Sequence, residues 1–240
     1  MAIKNLSESG YSRPMHDISI AGDELGKRLG GGIPIGSIVF IEGPEGSGRS
    51  VLAQRFCYGF LQNGKSTTYV STELTMMQFI DQMFSLSYRI DDSLIESALQ
   101  FFPVYPLIGN SRSRIDFLER VFQSSSLYNR DTLIIDSFSS LVGETIDNKK
   151  CIELMGFLKK QAKLGKTIVL TAEKGSPAME PLRLGSDIYL SLDMKHAGVG
   201  LVRMISVKRF LRAFGNVDDV LSYRVEPRSG LVIEITEVSG

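Results

Sequence analysis

The length, composition and charge of the chain restrict its class. It has 240 residues with 27 basic and 27 acidic side chains, so its formal net charge is zero. Hydrophobic residues make up 43% and charged residues 22%, a globular composition that excludes wholesale disorder. Zero net charge removes bulk electrostatics as an argument for binding nucleic acid or a membrane surface. The 2 cysteines and 2 histidines lie far apart, which excludes a disulfide scaffold and a structural zinc site.

The distribution of polar and apolar residues along the chain predicts its domain organisation and its location. Residues 1–17 are polar and aperiodic, which predicts a flexible N-terminal arm, and residues 18–240 contain no linker, so we expect one domain there. His16 and His196 are expected at the surface or in loops. The chain has no signal-peptide pattern and no run of about 18 apolar residues, so the predicted location is cytoplasmic.

Strands and helices are predicted to alternate through the first two thirds of the chain. Apolar runs typical of strands buried on both faces occur at residues 38–41, 132–136 and 167–171. Helical spacing or helix-start signals occur at residues 49–61, from 75 onward, and at 91–99, 113–124 and 148–163. Thr75 and Gln78 fit a capping box. Residues 67–71 predict a further strand, and Pro103 restricts residues 101–105 to a sheet edge.

The last quarter of the chain predicts strands only. They are expected at residues 187–192, 201–207, 220–225 and 231–237. The last two are joined by a proline-then-glycine hairpin turn at residues 227–230. The predicted fold class is therefore α/β, with a mainly parallel sheet flanked by helices and a C-terminal antiparallel extension and hairpin.

A glycine-rich loop between the first buried strand and its helix carries the strongest chemical signal. The candidate nucleotide-binding residues of this segment are Gly43, Pro44, Glu45, Gly46, Ser47, Gly48, Arg49, Ser50 and Val51. Glycines let backbone N–H groups turn toward phosphate oxygens, and the helix N-terminus adds positive potential. Arg49 stands where the motif has lysine, which favours nucleotide binding over hydrolysis because a guanidinium is longer and planar. The alternative is a plain strand-to-helix turn.

Two acidic residues complete the predicted site. Asp136 ends the buried strand at residues 132–136, the position from which P-loop proteins hold Mg²⁺, usually through a water molecule. Ser50 is the second candidate Mg²⁺ ligand, through its hydroxyl. Glu73 follows the strand at residues 67–71 and is the candidate catalytic residue, because it is placed to orient an attacking water. Its alternative role is a glutamate that favours a helix N-terminus.

Cations follow the strand predicted at residues 201–207. Lys208, Arg209 and Arg212 form this cluster. Lys208 and Arg209 are candidates for reaching the nucleotide of a neighbouring subunit, since a cation supplied in trans stabilises phosphate charge. They are otherwise solvated surface charges.

With these residues in view, the chain resembles the RecA/KaiC superfamily of P-loop ATPases. Residues 29–37, LGGGIPIGS, are similar to the lead-in of KaiC-like domains. Within that superfamily the chain resembles the FlaH (ArlH) family, the accessory ATPases of the archaeal flagellum, or archaellum. The segments that carry this resemblance are YVSTELT at 69–75, VKRFLR at 207–212, VDDV at 217–220 and RVEP at 224–227.

The resemblance implies a place in the archaellum motor complex, with ATP and Mg²⁺ as cofactors. It implies a homo-oligomeric ring, such as a hexamer, that lies at the membrane only through the complex. The implied partners are the motor ATPase FlaI, the platform protein FlaJ, and FlaX or the FlaC/D/E components. It also implies a nucleotide-regulated scaffold with weak or absent hydrolysis, and Arg49 points the same way.

Two other functions remain open at this stage. Glu73, Lys208 and Arg209 are compatible with an active KaiC-like ATPase or autokinase. A RecA-like DNA-binding ATPase is suggested by the fold class alone. No nucleic acid is expected, because residues 174–185 contain two cations, Lys174 and Arg183, and no aromatic side chain for base stacking.

Overall fold

The computed structural model describes residues 14–104, 123–142, 146–197 and 200–234, except for the side chains of residues 196, 197 and 200. Residues 1–13 of the predicted arm and all but the end of the helix predicted at residues 113–124 lie outside this range. The strands are β1 (Met15–His16), β2 (Ile33–Pro34), β3 (Ile38–Gly43), β4 (Thr67–Ser71), β5 (Leu99–Pro103), β6 (Thr132–Asp136), β7 (Thr167–Glu173), β8 (Ile188–Ala197), β9 (Gly200–Phe210), β10 (Val220–Glu226) and β11 (Gly230–Glu234). The α-helices are α1 (Leu25–Arg28), α2 (Arg49–Gln62), α3 (Met76–Ser85), α4 (Asp91–Ile95), α5 (Phe138–Val142), α6 (Asn148–Lys163) and α7 (Glu180–Gly185).

A sheet of nine strands organises the described part of the chain. Its order is β11-β10-β9-β8-β3-β7-β6-β4-β5. The strands from β3 to β8 are mutually parallel, and β9, β10 and β11 extend the sheet in antiparallel pairs. The predicted fold class is confirmed, and β5 occupies the sheet edge to which Pro103 restricts it.

Local sequence signals explain where several elements begin. Every residue of β3 is buried, as expected for an apolar run between helices on both faces. The capping box that starts α3 is present, because Thr75 accepts from the Gln78 N–H and the Gln78 side chain accepts from the Thr75 N–H. The helix predicted at residues 148–163 is α6, and Asp147 caps its N-terminus. The short helices α5 and α7 were not predicted.

Two hydrophobic layers cover the sheet. One layer includes Phe56 and Phe60 of α2 with Phe79 of α3, and the other includes Leu154 and Leu158 of α6. Because both faces are covered, the functional side chains collect along the carboxyl edge of the sheet. This is the edge where the carboxyl ends of β3, β4, β6 and β7 meet.

The N-terminal residues that the structure describes differ from the predicted arm. Met15 and His16 form β1 and pair with β2. His16 is 3% exposed, and its ring packs edge-on against Phe60 at a centroid distance of 5.5 Å. The surface position predicted for His16 is therefore wrong, because its aromatic ring fills the core beside α2.

No helix in the described part of the chain is long and apolar enough to cross a membrane.

Candidate nucleotide-binding site

The glycine-rich loop connects β3 to α2 at the carboxyl edge of the sheet. Gly46 and Gly48 have φ angles of 75° and 88°, a left-handed conformation that glycine adopts without a Cβ clash. The Ser47 hydroxyl donates to the carbonyl oxygen of Pro44 at 2.7 Å, which closes the turn from within. The loop thus has the strand–loop–helix context that phosphate binding requires.

A cavity of about 410 Å³ opens beside this loop, within the usual size range of ligand sites. The predicted site residues in its wall are Glu45, Gly46, Gly48, Arg49, Ser50, Val51 and Glu73. Gly43, Pro44 and Ser47 belong to the loop but do not line the cavity. The wall also contains Glu173 of β7 and three serines at the start of α5, Ser137, Ser139 and Ser140.

Arg49 lines this cavity and has an unsatisfied side-chain donor. Its Nη1 atom is buried and has no hydrogen-bond partner among the described residues. A buried guanidinium nitrogen without a partner is costly unless an acceptor binds there. Arg49 is the first residue of α2, where the helix dipole also favours an anion. The residues present therefore fit a phosphate group, with arginine in the place of the usual lysine.

Asp136 lies at the centre of a network of hydroxyl donors. Its Oδ1 atom accepts from Ser50 Oγ at 3.1 Å and from Thr171 Oγ1 at 2.6 Å, and its Oδ2 atom accepts from the Tyr69 hydroxyl at 2.8 Å. Asp136 is 4% exposed. The two candidate Mg²⁺ ligands, Ser50 and Asp136, are thus in direct contact, although they lie 86 residues apart in sequence.

Glu73 lies at the solvent-accessible rim of the cavity, just after β4. Partial desolvation raises the pKa of its carboxyl group, and the nearby negative charge of Asp136 raises it further. The positive charge of Arg49 opposes that rise in pKa. A carboxyl group with a raised pKa in a cleft is a candidate for proton exchange during a reaction.

Lys208 and Arg209 do not reach the phosphate loop of their own chain. Arg209 pairs in the sheet with Tyr189, which pairs with Phe40, three residues before Gly43. The Arg209 guanidinium donates to the carbonyl oxygen of Arg183 and, at 3.2 Å, to Ser186 Oγ. Lys208 is exposed. Their predicted action on a neighbouring subunit stays a prediction.

Arg212, the third cation of this cluster, has partners within its own chain. It donates to the carbonyl oxygens of Ile35 and Gly36, each at 3.2 Å, and to Ser37 Oγ at 2.9 Å. Arg212 therefore braces the turn that precedes β3.

Sequence reasoning missed two residues of the antiparallel extension that reach the loop. Arg203 of β9 lines the cavity, and its Nε donates to the carbonyl oxygen of Gly46 at 3.2 Å. Tyr223 of β10 donates its hydroxyl to the carbonyl oxygen of Ser47. The sequence around Arg203 and Tyr223 contains no motif that indicates a binding role. Their position beside the loop follows only from the pairing of β9 with β10.

Known proteins with similar sequences include proteins named as ATPases or ATP-binding proteins, in line with the phosphate loop described above. A family model described as "ATPase: KaiC" matches residues 19–237. A relative named "Archaeal flagellar ATP-binding protein FlaH", from Methanocaldococcus jannaschii, is 38% identical over 225 residues, 92% of this chain and 97% of the relative. The chain belongs to the FlaH family of KaiC-like ATPases. The FlaH relative from Methanococcus voltae is 35% identical over 92% of this chain and 98% of its own.

Solved structures place the fold in the same group. The crystal structure of the flagellar accessory protein FlaH from Methanocaldococcus jannaschii aligns with a TM-score of 0.84 and 35% identity, covering 93% of this chain and 100% of that one. A KaiC-like protein from Pyrococcus horikoshii aligns with a TM-score of 0.74 at 18% identity over 93% of this chain and 100% of its own. The second match supports the fold alone. The FlaH family and the KaiC-like fold predicted from the sequence are both confirmed.

Proposed function

We propose that this protein is an ATP-binding accessory component of the archaeal flagellum. The FlaH relatives bear that description in their names, and one feature of the site carries it to this chain. That feature is the buried, unpartnered Nη1 atom of Arg49 at the first turn of α2, beside the phosphate loop. A phosphate oxygen would satisfy this donor.

The residues that would hold the nucleotide and its metal follow from the contacts. Backbone N–H groups of residues 46–50 and the Arg49 guanidinium would bind phosphates. Ser50 and Asp136, already 3.1 Å apart, would bind Mg²⁺ directly or through water. When bound, Mg²⁺ neutralises phosphate charge. The hydroxyls of Tyr69 and Thr171 keep the Asp136 carboxylate oriented.

The finer role is a nucleotide-dependent scaffold with weak or absent hydrolysis. ATP binding would order the domain and favour a homo-oligomeric ring that docks the motor ATPase FlaI beneath the platform protein FlaJ, with FlaX or FlaC/D/E around it. The protein would then be cytoplasmic and reach the membrane only through the complex. Arg49 supports slow turnover, because its planar guanidinium does not replace the compact lysine ammonium between β- and γ-phosphates.

A second candidate function is an active KaiC-like ATPase or autokinase. The observation that favours it is Glu73, whose raised pKa and position at the cavity rim suit a group that activates water. The RecA-like DNA-binding alternative has less support. Lys174 is paired with Asp193 at 2.6 Å and Arg183 with Glu42 at 2.7 Å, so both cations of residues 174–185 already have partners.

Titration with a fluorescent ATP analogue and Mg²⁺, followed by competition with unlabelled ATP, tests the proposed binding. We expect specific micromolar binding that Arg49→Ala weakens at least tenfold, because the variant loses a charged phosphate contact. Arg89→Ala is the matched control, since Arg89 is an exposed arginine paired with Asp91. Absence of binding to the unmodified protein would refute the proposal.

Two further measurements separate the scaffold from the enzyme. A scaffold switched by nucleotide binds FlaI more tightly with ATP than without it, and equal affinities would refute the switch. An active ATPase releases phosphate at a rate that falls in Glu73→Gln. A phosphate release rate that is unchanged in this variant would refute the catalytic role of Glu73.

A further inference from the structure

Two side chains from the antiparallel extension hold consecutive peptide groups of the phosphate loop. Arg203 of β9 and Tyr223 of β10 are register partners in the sheet. The Arg203 Nε donates to the carbonyl oxygen of Gly46 at 3.2 Å, and the Tyr223 hydroxyl donates to the carbonyl oxygen of Ser47. The Arg203 contact spans 157 positions of the chain, and the Tyr223 contact spans 176. One cross-strand pair therefore contacts the loop at two adjacent carbonyls.

The peptide group explains what such contacts do to the loop. In a planar trans peptide the carbonyl oxygen and the following N–H point in opposite directions. Holding the Ser47 oxygen toward Tyr223 therefore turns the Gly48 N–H away from Tyr223. Gly48 lies in the cavity wall, and phosphate binding needs backbone N–H groups that face the cavity. The Ser47 N–H is already used within the loop, donating to the Pro44 carbonyl oxygen at 3.2 Å.

The Tyr223 side chain that makes this contact is buried in the core. It is 1% exposed and belongs to the same hydrophobic core as Leu192 and Ile205. Burial raises the pKa of its hydroxyl, so the group stays protonated and remains a donor. A Cβ on Gly48, whose φ is 88°, would lie 3.0 Å from the Tyr223 oxygen, so the loop packs directly on the phenol.

We propose that Tyr223 and Arg203 are positioning residues that hold the phosphate loop in its nucleotide-receiving form, which makes nucleotide affinity depend on the C-terminal antiparallel extension. This inference rests on the proposed ATP binding. It assigns β9 and β10 a role in nucleotide binding that needs no direct contact with the base or sugar.

Tyr223→Phe is the decisive variant, because it keeps the buried ring and removes the donor. We expect the affinity for the ATP analogue to fall by about 2- to 10-fold, the usual effect of one hydrogen bond. Inorganic tripolyphosphate, used as a competitor, should lose affinity by the same factor, since the pair acts on the loop that binds phosphates. Tyr58→Phe is the control, because Tyr58 stacks on Tyr88 outside the cavity wall.

The outcomes separate this inference from the proposed function. If the unmodified protein does not bind ATP, the proposed function fails. If it binds ATP and Tyr223→Phe binds equally well, the positioning role alone is refuted. A loss for ATP without a loss for tripolyphosphate also refutes it, because Tyr223 would then act on the base or sugar.

The Arg203 contact is tested by a double-mutant cycle. Arg203→Ala and Tyr223→Phe should together cost less affinity than the product of their separate effects, since both hold one loop. Strictly multiplicative effects would refute a shared role.

Discussion

Removing the hydroxyl of Tyr69 should destabilise the protein through Asp136. The Tyr69 hydroxyl donates to Asp136 Oδ2 at 2.8 Å, and the two residues are 0% and 4% exposed. Tyr69→Phe keeps the ring, which packs against Phe79 at a centroid distance of 4.8 Å. The substitution leaves a buried carboxylate oxygen without that donor. It creates no cavity larger than one oxygen atom.

The magnitude follows from the charge of the acceptor. A hydrogen bond to a charged group contributes about 1.5–3 kcal/mol. For a chain of this size each kcal/mol shifts the melting temperature by about 2–4 °C, so the expected fall is about 3–12 °C. Ser50 and Thr171 still hold Oδ1, so the fold should survive the change.

Equilibrium unfolding in urea, followed by circular dichroism, measures this loss. Tyr58→Phe serves as the control, because Tyr58 is only partly buried and stacks on Tyr88. In an Asp136→Asn background the same Tyr69 substitution should cost less free energy of unfolding, since the charged acceptor is gone. A loss below about 0.5 kcal/mol, or an equal loss in both backgrounds, would refute the reasoning.

Three further predictions concern buried or perturbed charges. Asp23→Ala should lower the free energy of unfolding by about 3–5 kcal/mol, measured in urea, because it leaves the fully buried Arg55 without its ion-pair partner. Any phosphate release that needs ionised Glu73 should rise with pH through a pKa above that of an ordinary glutamate, and Glu73→Gln should remove this acid limb. Burial of His16 lowers its pKa from 6.5 to about 4, with the Lys65 charge contributing. The unfolded state therefore binds the proton more tightly, and the free energy of unfolding should fall by about 3 kcal/mol as pH drops from 6.5 to 4.

Each of these three has a matched control. Asp91→Ala breaks the exposed pair with Arg89 and should cost less than about 1 kcal/mol, so an equal cost at Asp23 would contradict the buried-pair argument. An acid limb that persists in Glu73→Gln would assign it to another group. His16→Leu should flatten the pH dependence between 6.5 and 4, and an unchanged slope would show that other groups cause it.

Local patterns in the sequence were sufficient to predict which residues lie at the carboxyl edge of the sheet. The apolar run of β3, the glycines after it and the helix that follows are consecutive, so their geometry depends on neighbouring residues alone. Asp136 ends the buried strand β6 and Glu73 follows the β-prone strand β4, and parallel strands bring such ends to one edge. This is why Ser50, Asp136 and Glu73 could be proposed before any contact was known.

Long-range pairing decided the remaining features. Arg203 and Tyr223 reach the loop because β9 and β10 pair in a register that no local signal encodes. Strand pairing also places Arg209 level with Phe40 and away from its own phosphate loop, so its predicted contact with the nucleotide of a neighbouring subunit stays a prediction. His16 became a core residue through its contact with Phe60. Periodicity and turn chemistry act over a few residues, whereas strand order, side-chain partners and burial depend on contacts between distant segments that form only when the whole sheet assembles.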